Sequence, residues 1–516
     1  MLRGASLALS LSAVLACSAP ETQEGVKRDS NVFDDLGVAG SQERVRAVVL
    51  LPIREKSALD AFARDFYDPK ASSHRMFLDR AAVEQRFLPT EGDVARTRGW
   101  ASAHGLEVHF VAQNRLLVEL RGPASAFNDA FVTTLHAYDH RTREQRVYGT
   151  PGGVQIPEDA GIPAILTLDE VTDGNAEPDG AAVSPSPPPG SKGYLPDQIA
   201  RAYAADAVAE GRGGEGITIG LVTGGAFRAN DVHAFYEAVK VVREDIVVRE
   251  IGGAPSFRGR EATMLAEWVG VIAPKSRVVA FQGIDSRISS TLLAFNEAIG
   301  SGEAQVVAFS NSRHETSEPM ATREAFDLSA ELAAVTGITV VAASGDTAEA
   351  DIPATCPFVT AVGGTTLLVS EQSTSEEAWG RSGSGASAFA LPEWQRDVAS
   401  SFGKRVIPDV ALNAGAPYVV LYDGKWDAGG GTSIAAPVFA GIIALTDSAL
   451  LAAAKKPLGF LNPTLYRDSP IRQTFRDVTT GGTRDHAASA GWDAVSGWGT
   501  PTANEFAQAS LAHLPH

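Results

Sequence analysis

Gly429-Gly430-Gly431-Thr432-Ser433-Ile434-Ala435-Ala436-Pro437, followed by the apolar run Val438 to Leu445, is the stretch whose reading decides the fold. The glycines permit close backbone approach and unusual torsions, and the serine falls where an apolar helix begins. A hydroxyl placed there sits at the positive end of the helix, which favours a developing negative charge. Pro437 is read into the first turn, where a missing N–H costs little. Taken alone, the stretch also fits a glycine loop with a capping serine. A nucleophilic serine needs a base and an oxyanion donor as well, and the rest of the chain must supply them.

The bulk properties narrow the field. At 516 residues the chain exceeds one ordinary core, so two or more domains are expected. A formal charge of −18 and a pI near 5.1 repel phosphate backbones, which disfavours a nucleic-acid partner and suits work at low pH. Two cysteines, Cys17 and Cys356, exclude a disulfide scaffold and a zinc finger. Cys356 reads as a buried structural thiol.

The start of the chain reads as a signal peptide over 1–17: Arg3, then the largely apolar run Ala5 to Ala16, ending Val14-Leu15-Ala16-Cys17. That ending resembles a bacterial lipobox, which would make Cys17 a lipidated first residue. Ordinary cleavage after a small residue is the other reading, and either one exports the chain. No later run reaches ~18 uninterrupted apolar residues, so the remainder reads as soluble.

Residues 18–41 are mostly polar and read as a tether. The stretch 173–192, DGNAEPDGAAVSPSPPPGSK, cannot bury enough apolar surface to fold and reads as an exposed linker open to proteolysis. Two domains are therefore expected, over 42–172 and 193–513. In the first, Val45 to Ile53 and Leu116 to Leu120 are β-rich, Asp93 to His104 is helical, and Ser125 is placed as the N-cap of a second helix. The result is a small α/β sandwich. Its histidines (His74, His104, His109, His136 and His140) are scattered and form no catalytic cluster. In the second, Ile217 to Val222, Arg277 to Gln282, Gln305 to Ser310 and Ile338 to Ala343 are short β-branched runs. Helical stretches at Ser289 to Ile299 and Thr322 to Val335 separate the later ones. That alternation predicts a parallel sheet covered on both faces, with active groups beyond the carboxyl ends of its strands.

Gly-Thr-Ser followed by a proline four residues after the serine resembles the nucleophile motif of the subtilisin-like clan. Subtilisins proper take their base from a His-Gly-Thr context and an aspartate on the first strand. Here no histidine precedes Gly-Thr, and the first strand reads ITIGLVTGG. The other branch of the clan, the sedolisins or serine-carboxyl peptidases, matches in several places. Ala343-Ser344-Gly345-Asp346 with Phe358 to Thr366 is similar to their oxyanion segment. Arg405 to Ala411 and Tyr422 to Trp426 are similar to the stretches before their serine. Ser73 to Phe87 and Trp100 to Gly105 are similar to their activation domain. The resemblance implies an α/β fold, a subtilisin-like parallel sheet with helices on both faces, preceded by a smaller α/β, ferredoxin-like propeptide domain.

The same resemblance implies site residues. Anchored on Ile272-Ala273-Pro274, the family's Glu-x-x-x-Asp pair falls on Glu261 and Leu265, so the base is present and its partner is replaced. Residues four apart share a helix face, so a leucine there forfeits the shared proton that tunes the glutamate. Glu267, six residues on, is rotated by about 240° onto a different face and does not substitute easily. Asp285, beyond the strand ending near Gln282, is a remoter substitute. Ser433 is then the nucleophile, Glu261 the base and Asp346 the oxyanion donor. One structural calcium ion is implied at Asp477, Val478, Ser489, Gly491 and Asp493, with Ser489 where the family usually has glycine. Two loop aspartates in solvent is the bland alternative.

The expected protein is an exported, monomeric serine endopeptidase made as a zymogen, cleaving peptides or proteins best in acid. Its own propeptide is the inhibitor, and a lipid on Cys17 is its one link to a membrane. The alternative is a pseudopeptidase that keeps the cleft as a surface-anchored binding module. Intact Ser433, Glu261 and Asp346 favour the first reading, and Leu265 favours the second.

Overall fold

The computed structural model describes residues 21–23, 30, 32–141, 146–172, 174, 176, 179, 192–369 and 374–515. The signal-peptide and lipobox readings of 1–17 lie outside them, as does 180–191 of the linker.

Strand Arg44–Leu50 shows how the first domain is layered. Side chains alternate along a strand, so Val45, Ala47 and Val49 enter one apolar cluster while Val48 enters another. The strand pairs antiparallel with Leu117–Pro123 on one side and Ala164–Glu170 on the other, and Glu107–Val111 lies beyond Leu117–Pro123. These four strands with their connecting helices give the ferredoxin-like order expected from the sequence. Helices Glu91–Ala103 and Ala124–Ala130 cover one face through Trp100 and Phe127. Ser125 lies inside the second of these helices, whose N-cap position is Pro123, so the capping assignment was one element boundary off.

The sheet is wider than that core. Arg146–Gly149, His136–His140 and Phe33–Val38 extend it to seven strands. Residues 33–38, read from sequence as tether, are therefore its edge strand, and Glu21–Gln23 pairs with Val154–Ile156. An edge strand exposes most of its side chains, and Asp34, Asp35 and Leu36 are all exposed here. That leaves no alternating pattern to read.

The second domain carries an eight-stranded sheet in the order Val247–Ile251, Arg277–Gly283, Thr218–Gly224, Val306–Phe309, Thr339–Ala343, Thr360–Val369, Thr374–Ala378, with Val410–Asn413 also pairing Thr360–Val369. Every pairing is parallel except that of Thr374–Ala378. Thr218–Gly224 is buried along its whole length, as a strand covered on both faces must be. Helices Ile288–Gly300 and Met320–Thr336 cover one face, and Arg260–Trp268 and Thr432–Ala452 pack into the apolar cluster on the other.

Thr432–Ala452 is long and apolar enough to cross a membrane, yet it is a core helix with most of its surface buried. It is not one uninterrupted apolar run, because Thr446, Asp447 and Ser448 break it. All three are buried, and each makes a hydrogen bond: Thr446 Oγ1 donates to Ile442 O (3.0 Å), Ser448 Oγ donates to Glu215 O (2.7 Å), and Asp447 Oδ1 accepts the Leu458 N–H (2.7 Å).

The two domains share one core. Val48, Leu59, Phe66, Leu117 and Leu166 of the first join Phe295, Phe326 and Val335 of the second in a continuous apolar cluster. The sheet of the first domain thus lies on the helices that cover the back of the parallel sheet. Polar contacts pin its margin. Arg46 Nη2 donates to Asp285 (3.0 Å), Lys56 Nζ meets Glu331 (2.9 Å), and Glu297 accepts the Gln113 N–H (2.6 Å).

Candidate active site

Parallel strands deliver their carboxyl ends to one rim, and two helix N-termini meet them there. Ser310 follows Val306–Phe309, Asp346 follows Thr339–Ala343, Ser433 is the second residue of helix Thr432–Ala452, and Glu261 is the second of helix Arg260–Trp268. The structure brings Ser433, Glu261 and Asp346 together. Ser433 Oγ lies 3.3 Å from Glu261 Oε1, and Asp346 Oδ1 accepts both the N–H and the hydroxyl of Thr432, each at 2.8 Å. Glu261 is exposed in the first turn of its helix. Burial pushes the Asp346 carboxyl above the ordinary aspartate range.

The glycine stretch has a specific reason to lack side chains. Gly431 has φ +103, and a Cβ there would stand 2.3 Å from Asp346 Oδ2. Any other residue would push the carboxyl away from the serine loop.

Pro437 is not in the first turn. It is the sixth residue of a helix that begins at Thr432, so the intrahelical N–H for the Ser433 carbonyl is missing. Ser310 Oγ supplies the replacement, donating to Ser433 O at 2.9 Å. Ser433 Oγ in turn lies 3.4 Å from Ser310 O. The proline and Ser310 together hold the serine's backbone. Sequence reading missed Ser310, because a serine ending a strand carries no signal of a partner 123 residues away.

The position four residues beyond Glu261 holds Leu265, which is fully buried in the apolar cluster. Glu267 points elsewhere, as its rotation requires: it is buried, accepts the Leu421 N–H (3.1 Å), and burial pushes its carboxyl well above the usual range. Asp285, the remoter substitute, is committed to other partners. It is buried between Arg46 (3.0 Å) and Arg287 (2.7 Å) and accepts from Ser290 Oγ (2.7 Å). The two guanidinium charges hold it far below the ordinary carboxylate range despite its burial.

At the calcium-type loop, Asp477 Oδ2 accepts the Gly491 N–H (2.7 Å), and Asp493 Oδ2 accepts the Ser489 N–H (2.9 Å). Asp493 Oδ1 also accepts from Val495 N and from Ser496 N and Oγ. Gly491 has φ +83, whereas Ser489 is outside the left-handed region and needs no glycine. Among the described residues no group of three or more His, Cys, Asp or Glu side chains is placed to hold a metal. A cation here would therefore rely on two carboxylates and main-chain carbonyls. That all-oxygen donor set fits a hard ion.

Residues 32–170 match the pro-kumamolisin activation domain, and residues 262–499 match the subtilase family. Kumamolisin from Bacillus sp. (strain MN-32) is 29% identical over 530 residues, covering 92% of this chain and 93% of its own. Sedolisin from Pseudomonas sp. (strain 101) is 27% identical over 515 residues, covering 89% and 86%. Among solved structures, Pseudomonas sedolisin, a serine-carboxyl proteinase complexed with two molecules of pseudo-iodotyrostatin, superposes with a TM-score of 0.55 at 22% identity. It covers 63% of this chain and 100% of that one, which is a likeness of fold. Fold, activation domain and relatives along nearly the whole length agree: the chain is a peptidase of the sedolisin family that carries its own pro-kumamolisin-type activation domain.

Proposed function

We propose that this protein is an exported serine-type endopeptidase, made as a zymogen, that cleaves peptide bonds best in acid and runs on a simplified base. The observation that carries the proposal is the approach of Ser433 Oγ to Glu261 Oε1, 3.3 Å, beside an Asp346 whose burial favours its neutral form. Ser433 Oγ attacks the scissile carbonyl while Glu261 takes its proton. The oxyanion is met by neutral Asp346, with the N–H groups of the helix start nearby. Glu261 then passes its proton to the leaving amine. Water, giving its proton to Glu261, hydrolyses the acyl-enzyme and frees Ser433.

A carboxylic acid donates only while it holds its proton, so turnover falls as pH rises through the Asp346 pKa. Leu265 stands where the family's motif has an aspartate, so no acid is offered from that position and the enzyme is correspondingly slow. Asp477, Val478, Ser489, Gly491 and Asp493 would hold one structural calcium ion, which supplies no step. The activation domain covers the peptidase until the 173–192 linker is cut. Export follows from the 1–17 segment, with Cys17 as the lipid attachment point of a monomer.

Leu265 also favours a second reading, a pseudopeptidase that binds peptides without efficient hydrolysis. Incubating purified precursor from acidic to neutral pH, beside Ser433→Ala, separates the two. The peptidase reading expects Ser433-dependent processing in acid. An unchanged precursor at every pH supports the binding module.

A further inference from the structure

Beneath the turn that carries Asp346 lies an acid–imidazole pair that the catalytic scheme does not use. Asp351 opens the short strand Asp351–Ile352, which pairs antiparallel with Arg313–His314. Its main-chain N–H donates to Ser344 O (3.1 Å), and its carboxylate fills the space beside Gly345, where a Cβ would meet Asp351 Cγ at 2.7 Å. Gly345, at φ +115, is the residue before Asp346. Ser312 Oγ donates to Asp351 Oδ2 (2.7 Å), and His314 Nδ1 stands 3.0 Å from Asp351 Oδ1. Ser312 and His314 belong to the segment that begins at Ser310, the residue bonded to the Ser433 carbonyl. One carboxylate therefore ties the serine-side segment to the oxyanion-side turn.

We infer that His314 is a positioning residue for the oxyanion arm: paired with Asp351 under the Gly345–Asp346 turn, it fixes that turn and offsets the negative charge that Asp346 faces. The inference rests on the reading of Asp346 as a neutral donor. Asp346 faces the Thr432 donors, Asp351, and Arg381, whose Nε donates to the Asp346 carbonyl (2.9 Å). Burial is the largest influence on its carboxyl; Asp351 favours its proton and Arg381 opposes it. His314 faces Asp351, Glu349 at 3.6 Å, and the opposing charge of Arg313, and Glu349 in turn meets Arg484 at 3.3 Å, beside Asp485. Asp351 raises the His314 pKa above the ordinary imidazole value, so His314 carries its charge in acid and loses it as pH rises.

The two members of the pair should thus move Asp346 in opposite directions. The test uses the full chain with Ser433→Ala, carbon-labelled at aspartate, with the Asp346 carboxyl resonance assigned through Asp346→Asn and titrated by NMR. His314→Gln should raise the Asp346 midpoint and Asp351→Asn should lower it, each by about half a pH unit for a partly screened neighbouring charge. His314→Lys, which keeps a fixed cation, should bring the midpoint back below that of His314→Gln, and it stands in should Asp351→Asn fail to fold. Shifts in the same direction, or an immobile midpoint in both variants, overturn the inference. Because the titration needs no turnover, a chain without peptidase activity refutes the proposed function while leaving this test intact.

Discussion

Leu265 stands four residues beyond Glu261 on one face of helix Arg260–Trp268, buried completely, while Glu261 opens toward Ser433 Oγ at 3.3 Å. Position 265 therefore offers Glu261 hydrocarbon and no carboxyl, and the carboxylates Glu267 and Asp285 are bound elsewhere. Most of what distinguishes this site follows from that one position.

Restoring the acid should restore rate. In a Ser-His-Asp site the orienting aspartate is worth about 10⁴-fold in kcat; Leu265→Asp should recover a fraction, about tenfold or more in acid, read as kcat on a peptide substrate. It should also lower Tm, because an incompletely bonded buried carboxylate costs roughly 1–3 kcal/mol. A stable Leu265→Asp with unchanged kcat would show that Glu261 needs no acid at position 265.

Asp346 should set the alkaline limit. Its pKa is raised, so the neutral donor form is present in acid and is lost as pH rises through that value. Asp346→Asn keeps a neutral donor at every pH. Its kcat/KM profile should lose the alkaline fall even if its maximum is lower.

The prosegment interface should respond to pH from both sides. Burial raises Glu297 to about 7 and Glu331 to about 8. Groups raised on docking contribute most below their ordinary pKa, and that contribution is lost as pH climbs through the docked value. Asp285 is lowered, so its pairing with Arg46 contributes above the ordinary aspartate range and is lost as pH falls. Affinity of the separated prosegment for Ser433→Ala peptidase should peak in mild acid and weaken by about tenfold or more toward alkaline pH. Titration calorimetry across pH checks this, and Glu331→Gln with Glu297→Gln should flatten the alkaline side.

Ser310 should matter to both fold and rate. Ser310→Ala leaves the Ser433 carbonyl without its donor, an unsatisfied group worth roughly 1–3 kcal/mol, visible as a lower Tm. A fall in kcat should accompany it, and Ser310→Thr, which keeps the hydroxyl, should recover both.

Much of the architecture was legible because buried parallel strands write themselves as continuous β-branched runs, and Thr218–Gly224 and Thr339–Ala343 do so. The serine loop was legible for a different reason: Gly431 and Pro437 leave a mark in the sequence wherever backbone torsion or a missing N–H is required. The edge strand Phe33–Val38 was not, since exposure on most of its length erases alternation. Nor were Ser310, the His314–Asp351 pair or the Arg46–Asp285 pair. Each depends on residues brought together by topology, and no local pattern distinguishes a serine or aspartate that has such a partner from one facing water.

The most direct test of the account is processing of the full-length precursor in acid, with Ser433→Ala and Glu261→Gln beside it. The account predicts that the unaltered chain is cut within residues 173–192, slowly and increasingly as pH falls, while both variants remain whole. A precursor that stays intact at every pH, or a Ser433→Ala chain cut at the same rate as the unaltered one, would contradict it.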